Sequence, residues 1–207
     1  MKRAVGLITT DMKIASMVRE VASKMKLKVF HVLDVGELPI HVNILISTRS
    51  EKIENIEGRE IIYIDDYRDI EEAVEKAVEK LSGIGKYERV IVAIDPGKTI
   101  GVAYTVNGVV IKTCRYEDLG KMVIDLKDFL ERHKDSYEKT VIIGSTSMID
   151  EALKFMEIIR EPLKDVVDVK IEIVDEAKTS RGLISREKEV SKDEYSAILL
   201  FLRKKHL

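Results

Sequence analysis

Acidic side chains recur at three places in the second half of this 207-residue chain, each at the end of a predicted element. Asp95 closes an apolar run at residues 89–95 (RVIVAID), and Pro96 and Gly97 then impose a tight turn. A buried strand followed by such a turn aims Asp95 out of the sheet at the edge where open α/β sheets bind ligands. Asp175 and Glu176 follow a second apolar run at residues 169–174. Asp193 and Glu194 open the last predicted helix, where acids also cap free N–H groups and complement the helix dipole. Ser191 and Glu194 have the spacing of a capping box, so Glu194 reads as the cap. Asp95, Asp175 or Glu176, and Asp193 would all emerge at one edge of a single sheet. Carboxylates held that close repel one another unless a cation lies between them. Mg²⁺ prefers oxygen and is usually held by one or two carboxylates plus substrate phosphates. Two such ions about 3.5–4 Å apart suit phosphodiester hydrolysis.

Basic residues concentrate next to these acids. Residues 178–192 (KTSRGLISREKEVSK) carry Lys178, Arg181, Arg186, Lys188 and Lys192 against Glu187 and Glu189. With one Gly and several Ser and Thr, the segment reads as a loop whose cations can hold phosphates. No aromatic interleaves with them, which argues against a stacking platform for single strands. Lys98, in the turn after Asp95, is a further phosphate-binding candidate.

Composition narrows the classes. The chain has 35 basic and 37 acidic residues, a net charge of −2, so bulk charge does not hold it on nucleic acid. Hydrophobic residues make up 45%, enough for a real core. Charged residues reach 35%, with no Gln and three Asn, a balance that matches proteins from hot environments. The single cysteine, Cys114, excludes an internal disulfide and a Cys-based zinc site and fits a reducing cytoplasm. His31, His41, His133 and His206 have no metal-ligand spacing. No apolar run approaches the ~20 residues that a membrane span needs, and the first residues read as a buried strand rather than a signal peptide.

The elements that must position these residues follow from periodicity. Residues 3–9, 28–33, 42–48 and 60–64 read as strands. Residues 11–25 and 68–81 read as helices, the first with Ile14, Met17, Val18, Val21 and Met25 on its apolar face. This alternation predicts a small α/β domain over residues 1–85. Thr9, Thr10, Asp11, Asp65 and Asp66 in it read as caps and turns, and its expected role is partner binding or dimerisation, a homodimer included. Residues 82–88 (SGIGKYE) mark a boundary. Beyond it, strands are expected at 89–95, 101–106, 109–115, 140–144 and 169–174, with helices at 117–133, 150–163 and 191–205. Asn107-Gly108 between two apolar runs is a strong hairpin signal. A three-stranded meander followed by parallel strands with crossover helices predicts a mixed five-stranded sheet with helices on both faces over residues 86–207.

From about residue 89 onward the chain resembles the RNase H superfold, and most closely its RuvC/YqgF branch of resolvase-like nucleases. Ile94-Asp95-Pro96-Gly97 resembles the first-strand signature of that branch. Residues 174–180 (VDEAKTS) resemble the segment after its fifth strand, and residues 192–200 (KDEYSAILL) its final helix. The resemblance implies Asp95 and Asp193 as metal ligands, with Glu176 or Asp175 as a further acid, and an RNase H-like domain preceded by the small α/β domain. It departs from the RuvC pattern at the fourth strand, where Gly144-Ser145 stands in place of a Glu. Ser196 replaces a second acid in the last helix, and Ala177 replaces the Arg of the YqgF segment. Lys98 and Thr99 also resemble the phosphate turn of actin-like ATPases and sugar kinases, whose duplicated domains need a longer chain. The expected activity is therefore a metal-dependent nuclease acting on structured DNA or RNA. Its catalytic residues would be Asp95, Glu176 and Asp193, its ion Mg²⁺ or Mn²⁺ held by Asp95, Asp175, Glu176 and Asp193, and its phosphate grip Lys98, Lys178, Arg181, Arg186, Lys188 and Lys192. The alternative is a non-catalytic module of the same superfold that binds nucleic acid or protein.

Overall fold

Two separate runs of strand-forming sequence build two separate sheets. The computed structural model describes residues 3–54, 56–145, 149–175 and 191–205, and the chain divides into two units, Met1–Gly85 and Lys86–Leu207.

The first unit contains β1 (Ala4–Ile8), α1 (Met12–Lys24), β2 (Lys28–Val32), β3 (Ile44–Ser47), β4 (Glu60–Tyr63) and α2 (Ile70–Leu81). Its four strands are all parallel, in the order β2-β1-β3-β4. One face is closed by connections rather than by helices. Leu38, Val42, Val35, Ile53 and Ile56 pack there with Ile8, Leu45, Phe30 and Ile61. Gly6 admits this layer, because a Cβ there would lie 2.7 Å from Leu45 Cδ2 and 2.8 Å from Leu38 Cδ1. The buried stripe of α1 is Ala15, Val18 and Ala22, while Met17 is 45% exposed. The apolar face is thus rotated from the one that periodicity predicts. Small alanines let α1 sit close against its neighbours, and the bulkier Met17 is left at the rim. Three short 3-10 turns (Val35–Glu37, Arg49–Glu51 and Ile64–Asp66) escape the sequence pattern, since three residues cannot display a helical period.

The second unit contains β5 (Arg89–Asp95), β6 (Ile100–Val106), β7 (Val109–Tyr116), α3 (Leu119–Arg132), β8 (Glu138–Ser145), α4 (Ile149–Arg160), β9 (Val169–Asp175) and α5 (Lys192–Lys205). Its sheet has the order β7-β6-β5-β8-β9. β5, β6 and β7 form an antiparallel meander, and β8 and β9 run parallel to β5. The β6–β7 turn is made by Asn107 and Gly108, both at positive φ (50° and 82°), as a type I′ hairpin requires.

Helices cover both faces of this sheet. On one, Ala197, Leu200 and Phe201 of α5 pack with Ile91, Ala93, Ala103 and Ile142. The small side chains of Ala93, Ala103 and Ala197 let the helix approach closely. On the other, Phe129 of α3 lies 4.9 Å from the Tyr104 ring, which alternates with Ala103 along β6. Lys112 is buried there with its ammonium 4.8 Å above the Tyr104 ring. The Tyr104 and Tyr116 hydroxyls are 2.9 Å apart. Burial, with Tyr104 and Cys114 alongside, pushes the Tyr116 phenol well above its ordinary pKa.

Candidate functional site

Strand alternation fixes which side Asp95 serves. Ile91 and Ala93 face α5, so Asp95, two residues on, shares that face at the carboxyl end of β5. Its register partner across the hairpin is Gly101. A Cβ at Gly101 would lie 2.1 Å from the Asp193 carbonyl oxygen and 2.9 Å from the Glu194 nitrogen. Only glycine lets the first turn of α5 rest on β6 in this way. The backbones of Asp95, Gly101 and Asp193 therefore form one continuous contact, although 98 positions separate the two acids in sequence.

The start of α5 is pinned by three further links. Ser191 and Glu194 form the capping box: the Ser191 N–H donates to Glu194 Oε2 (2.9 Å) and the Glu194 N–H to Ser191 Oγ (3.2 Å). The Thr113 hydroxyl of β7 donates to Glu194 Oε1 at 2.8 Å. Glu194 is thus committed to structure on both oxygens, as its position in the sequence predicts. Thr99, the last residue of the turn after β5, donates its hydroxyl to Asp193 Oδ2. Arg115 Nε lies 3.6 Å from the same Oδ2, with the arginine side chain 50% exposed. Among the described residues, the hydrogen bond to Asp193 falls on Oδ2.

Sequence reasoning missed Arg115, and a bulge in the hairpin explains why. Counted out from Asn107-Gly108, an unbroken ladder pairs Gly101 with Cys114. The register shifts between Tyr104 and Thr105: Thr105 pairs with Val110 but Tyr104 with Lys112. One extra residue on β7 reverses the faces beyond it. Arg115 is thereby placed opposite Gly101 on the Asp193 side, and Lys112, Cys114 and Tyr116 turn toward α3. A bulge leaves no strong signal in a run such as VVIKTCRY.

The other expected site residues fall as follows. Lys98 is exposed in the turn between β5 and β6, and Lys192 is exposed as the first residue of α5. Both border the edge that holds Asp95 and Asp193. Asp175 ends β9, with its backbone paired to Ser145 at the end of β8. Glu176, Lys178, Arg181, Arg186 and Lys188 lie outside the described residues. Ile94 pairs with Ile143, so the β8 residue beside Asp95 is Gly144, and β8 contributes no carboxylate at that level.

Asp95 and Asp193 carry hard oxygen donors of the kind a divalent cation prefers. No group of three or more His, Cys, Asp or Glu arranged for a metal occurs among the described residues. Two carboxylates and exposed cations at one edge would suit an ion that keeps several waters and accepts phosphate oxygens. No protein-family model matches the chain, and no curated protein matches it.

Proposed function

We propose that residues 86–207 form an RNase H-like domain and act as a metal-dependent nuclease on structured nucleic acid. The observation that carries this reading is the contact of Asp95, Gly101 and Asp193 at the carboxyl edge of the five-stranded sheet. The strand order β7-β6-β5-β8-β9, with its meander and two parallel strands, supports the same superfold. Asp95 and Asp193 would hold Mg²⁺ or Mn²⁺, with Glu176 or Asp175 as a further donor. The ion, when bound, activates a water and neutralises charge on the phosphodiester. Lys98 and Lys192, with Lys178, Arg181, Arg186 and Lys188, would hold the flanking phosphates.

The test is cleavage of junction, flap, duplex and RNA substrates with Mn²⁺, run beside Asp95→Asn. The expected outcome is cleavage by the native chain and its loss in the variant. Cleavage that persists in Asp95→Asn overturns the proposed roles. Gly144 beside Asp95 favours a second reading, a nucleic-acid-binding module without hydrolysis, which predicts substrate binding with no cleavage under any metal.

A further inference from the structure

We propose that a second copy of this chain pairs with the outer edge of β9, antiparallel and about a two-fold axis at Ile171, so that two five-stranded sheets join into one. β9 stands at the end of its sheet, and among the described residues no strand pairs with its outer side. Edge strands are usually kept short, bulged or covered, because their open N–H and C=O groups recruit other strands. The other three edge strands follow that rule. β2 and β4 have five and four residues, and β7 is broken by its bulge. β9 runs for seven residues in unbroken register with β8, and it contains no proline.

The two faces of β9 are complementary to themselves. Ile142 packs against α5, its register partner on β9 is Glu172, and Val174 packs in the same cluster. Lys170 shares this face by alternation and is exposed. Ile171 and Ile173 point the other way and are only half-buried. With Ile171 on the axis, Lys170 faces the partner's Glu172, and Glu172 faces the partner's Lys170. On the opposite face Val169 meets the partner's Ile173, and the two copies of Ile171 meet each other. A slip of two residues brings Lys170 onto the partner's Lys170, or Glu172 onto the partner's Glu172. A slip of one sets apolar side chains against the charged row. Opposite charges across a strand pair stabilise it and like charges destabilise it, so the charge pattern selects the register at Ile171. A two-fold contact of this kind closes on itself and yields a dimer rather than a fibre.

The test is sedimentation equilibrium of the full chain, native, as Lys170→Glu, as Glu172→Lys, and as an equimolar mixture of the two variants. The native chain should be a dimer. Each variant alone turns two attractive pairs into repulsive ones and should weaken dimerisation about 10-fold or more. The mixture should recover it, because acids on one strand then face bases on the other. Lys170 is exposed, so Lys170→Glu should remain folded, and thermal unfolding checks both variants. Ile171→Cys in a Cys114→Ser background gives a second readout that alters no charge: a short bismaleimide should join two chains at the axis. A native chain that stays monomeric overturns the inference and leaves this edge to a strand of another protein. A dimer unmoved by Lys170→Glu, a mixture of folded variants that does not associate, or a failure to cross-link at residue 171 overturns it as well.

Discussion

Both sheets of this molecule end in acids at their carboxyl edges, but the two edges use them differently. In the first unit each acid is consumed by its own neighbourhood. Asp11 caps α1 by accepting from the Lys13 and Ile14 N–H groups at 2.8 and 3.2 Å. Asp66 takes Arg49 through both oxygens at 2.8 Å, and Asp65 accepts the Arg49 N–H at 2.8 Å. Glu51 accepts from the Thr10 N–H at 2.6 Å and from the Thr9 and Thr10 hydroxyls at 3.0 Å. In the second unit Asp193 takes the Thr99 hydroxyl on Oδ2, with Arg115 Nε 3.6 Å from the same oxygen, and so ties the last helix to the hairpin. An acid at a strand end is therefore a weak signal, since Asp11, Glu51 and Asp193 all gather their described donors on one oxygen; the second unit differs in joining Asp95 and Asp193 through the backbone contact at Gly101.

The largest contrast between the units should appear at their two close-approach glycines. Gly101→Ala drives a methyl into the backbone of α5, which cannot rotate away, so a loss of about 1–3 kcal/mol or more is expected. Gly6→Ala meets only the ends of Leu38 and Leu45, which can change rotamer, and should cost less. Chemical denaturation of the full chain measures both. An equal or smaller loss at Gly101 would mean that α5 does not rest on β6 as described.

Next come two buried hydroxyls that tie neighbouring strands. Ser47 donates to the Ile8 carbonyl at 2.7 Å in the first unit, and Thr105 to the Ile91 carbonyl at 2.8 Å in the second. Ser47→Ala and Thr105→Val should each cost about 1 kcal/mol by the same denaturation measurement. A large difference between them would show that one sheet depends on side-chain ties more than the other.

Much of this architecture was legible in the sequence because it rests on local rules. The Asn107-Gly108 hairpin, the Ser191–Glu194 box and the apolar strands announce themselves within a few residues. The DPGKT turn pointed to Asp95 for the same reason. What stayed hidden depends on contacts distant in sequence. The bulge that turns Arg115 toward Asp193 is one case, and the choice of Ala15, Val18 and Ala22 over Met17 as the buried face of α1 is another. Thr99 stood in view beside Lys98, but its partner lies 94 residues away.

Smaller effects sharpen the contrast at the acids themselves. Arg49→Met removes an exposed ion pair and should change stability very little. It should leave Mn²⁺ affinity unchanged, and a new Mn²⁺ site in this variant would erase the distinction between the two edges. Smallest is the pH effect at Glu51. Hydrogen bonds, first from the Thr10 N–H and then from the Thr10 and Thr9 hydroxyls, lower its pKa below the ordinary glutamate value. The stability it adds is therefore present above that ordinary value and is lost as pH falls through the lowered one. Glu51→Gln should flatten this part of the acid unfolding curve, and an unaltered curve would remove Glu51 from the account.

Affinity cleavage tests most directly whether a divalent ion lies between Asp95 and Asp193. Fe²⁺ replaces Mg²⁺, and ascorbate with peroxide then cuts the backbone next to the bound iron. Scission close to residues 95 and 193, suppressed by excess Mg²⁺ and absent in Asp193→Asn, is the predicted result. Cuts confined to other parts of the chain, or none at all, would contradict a shared cation at this edge.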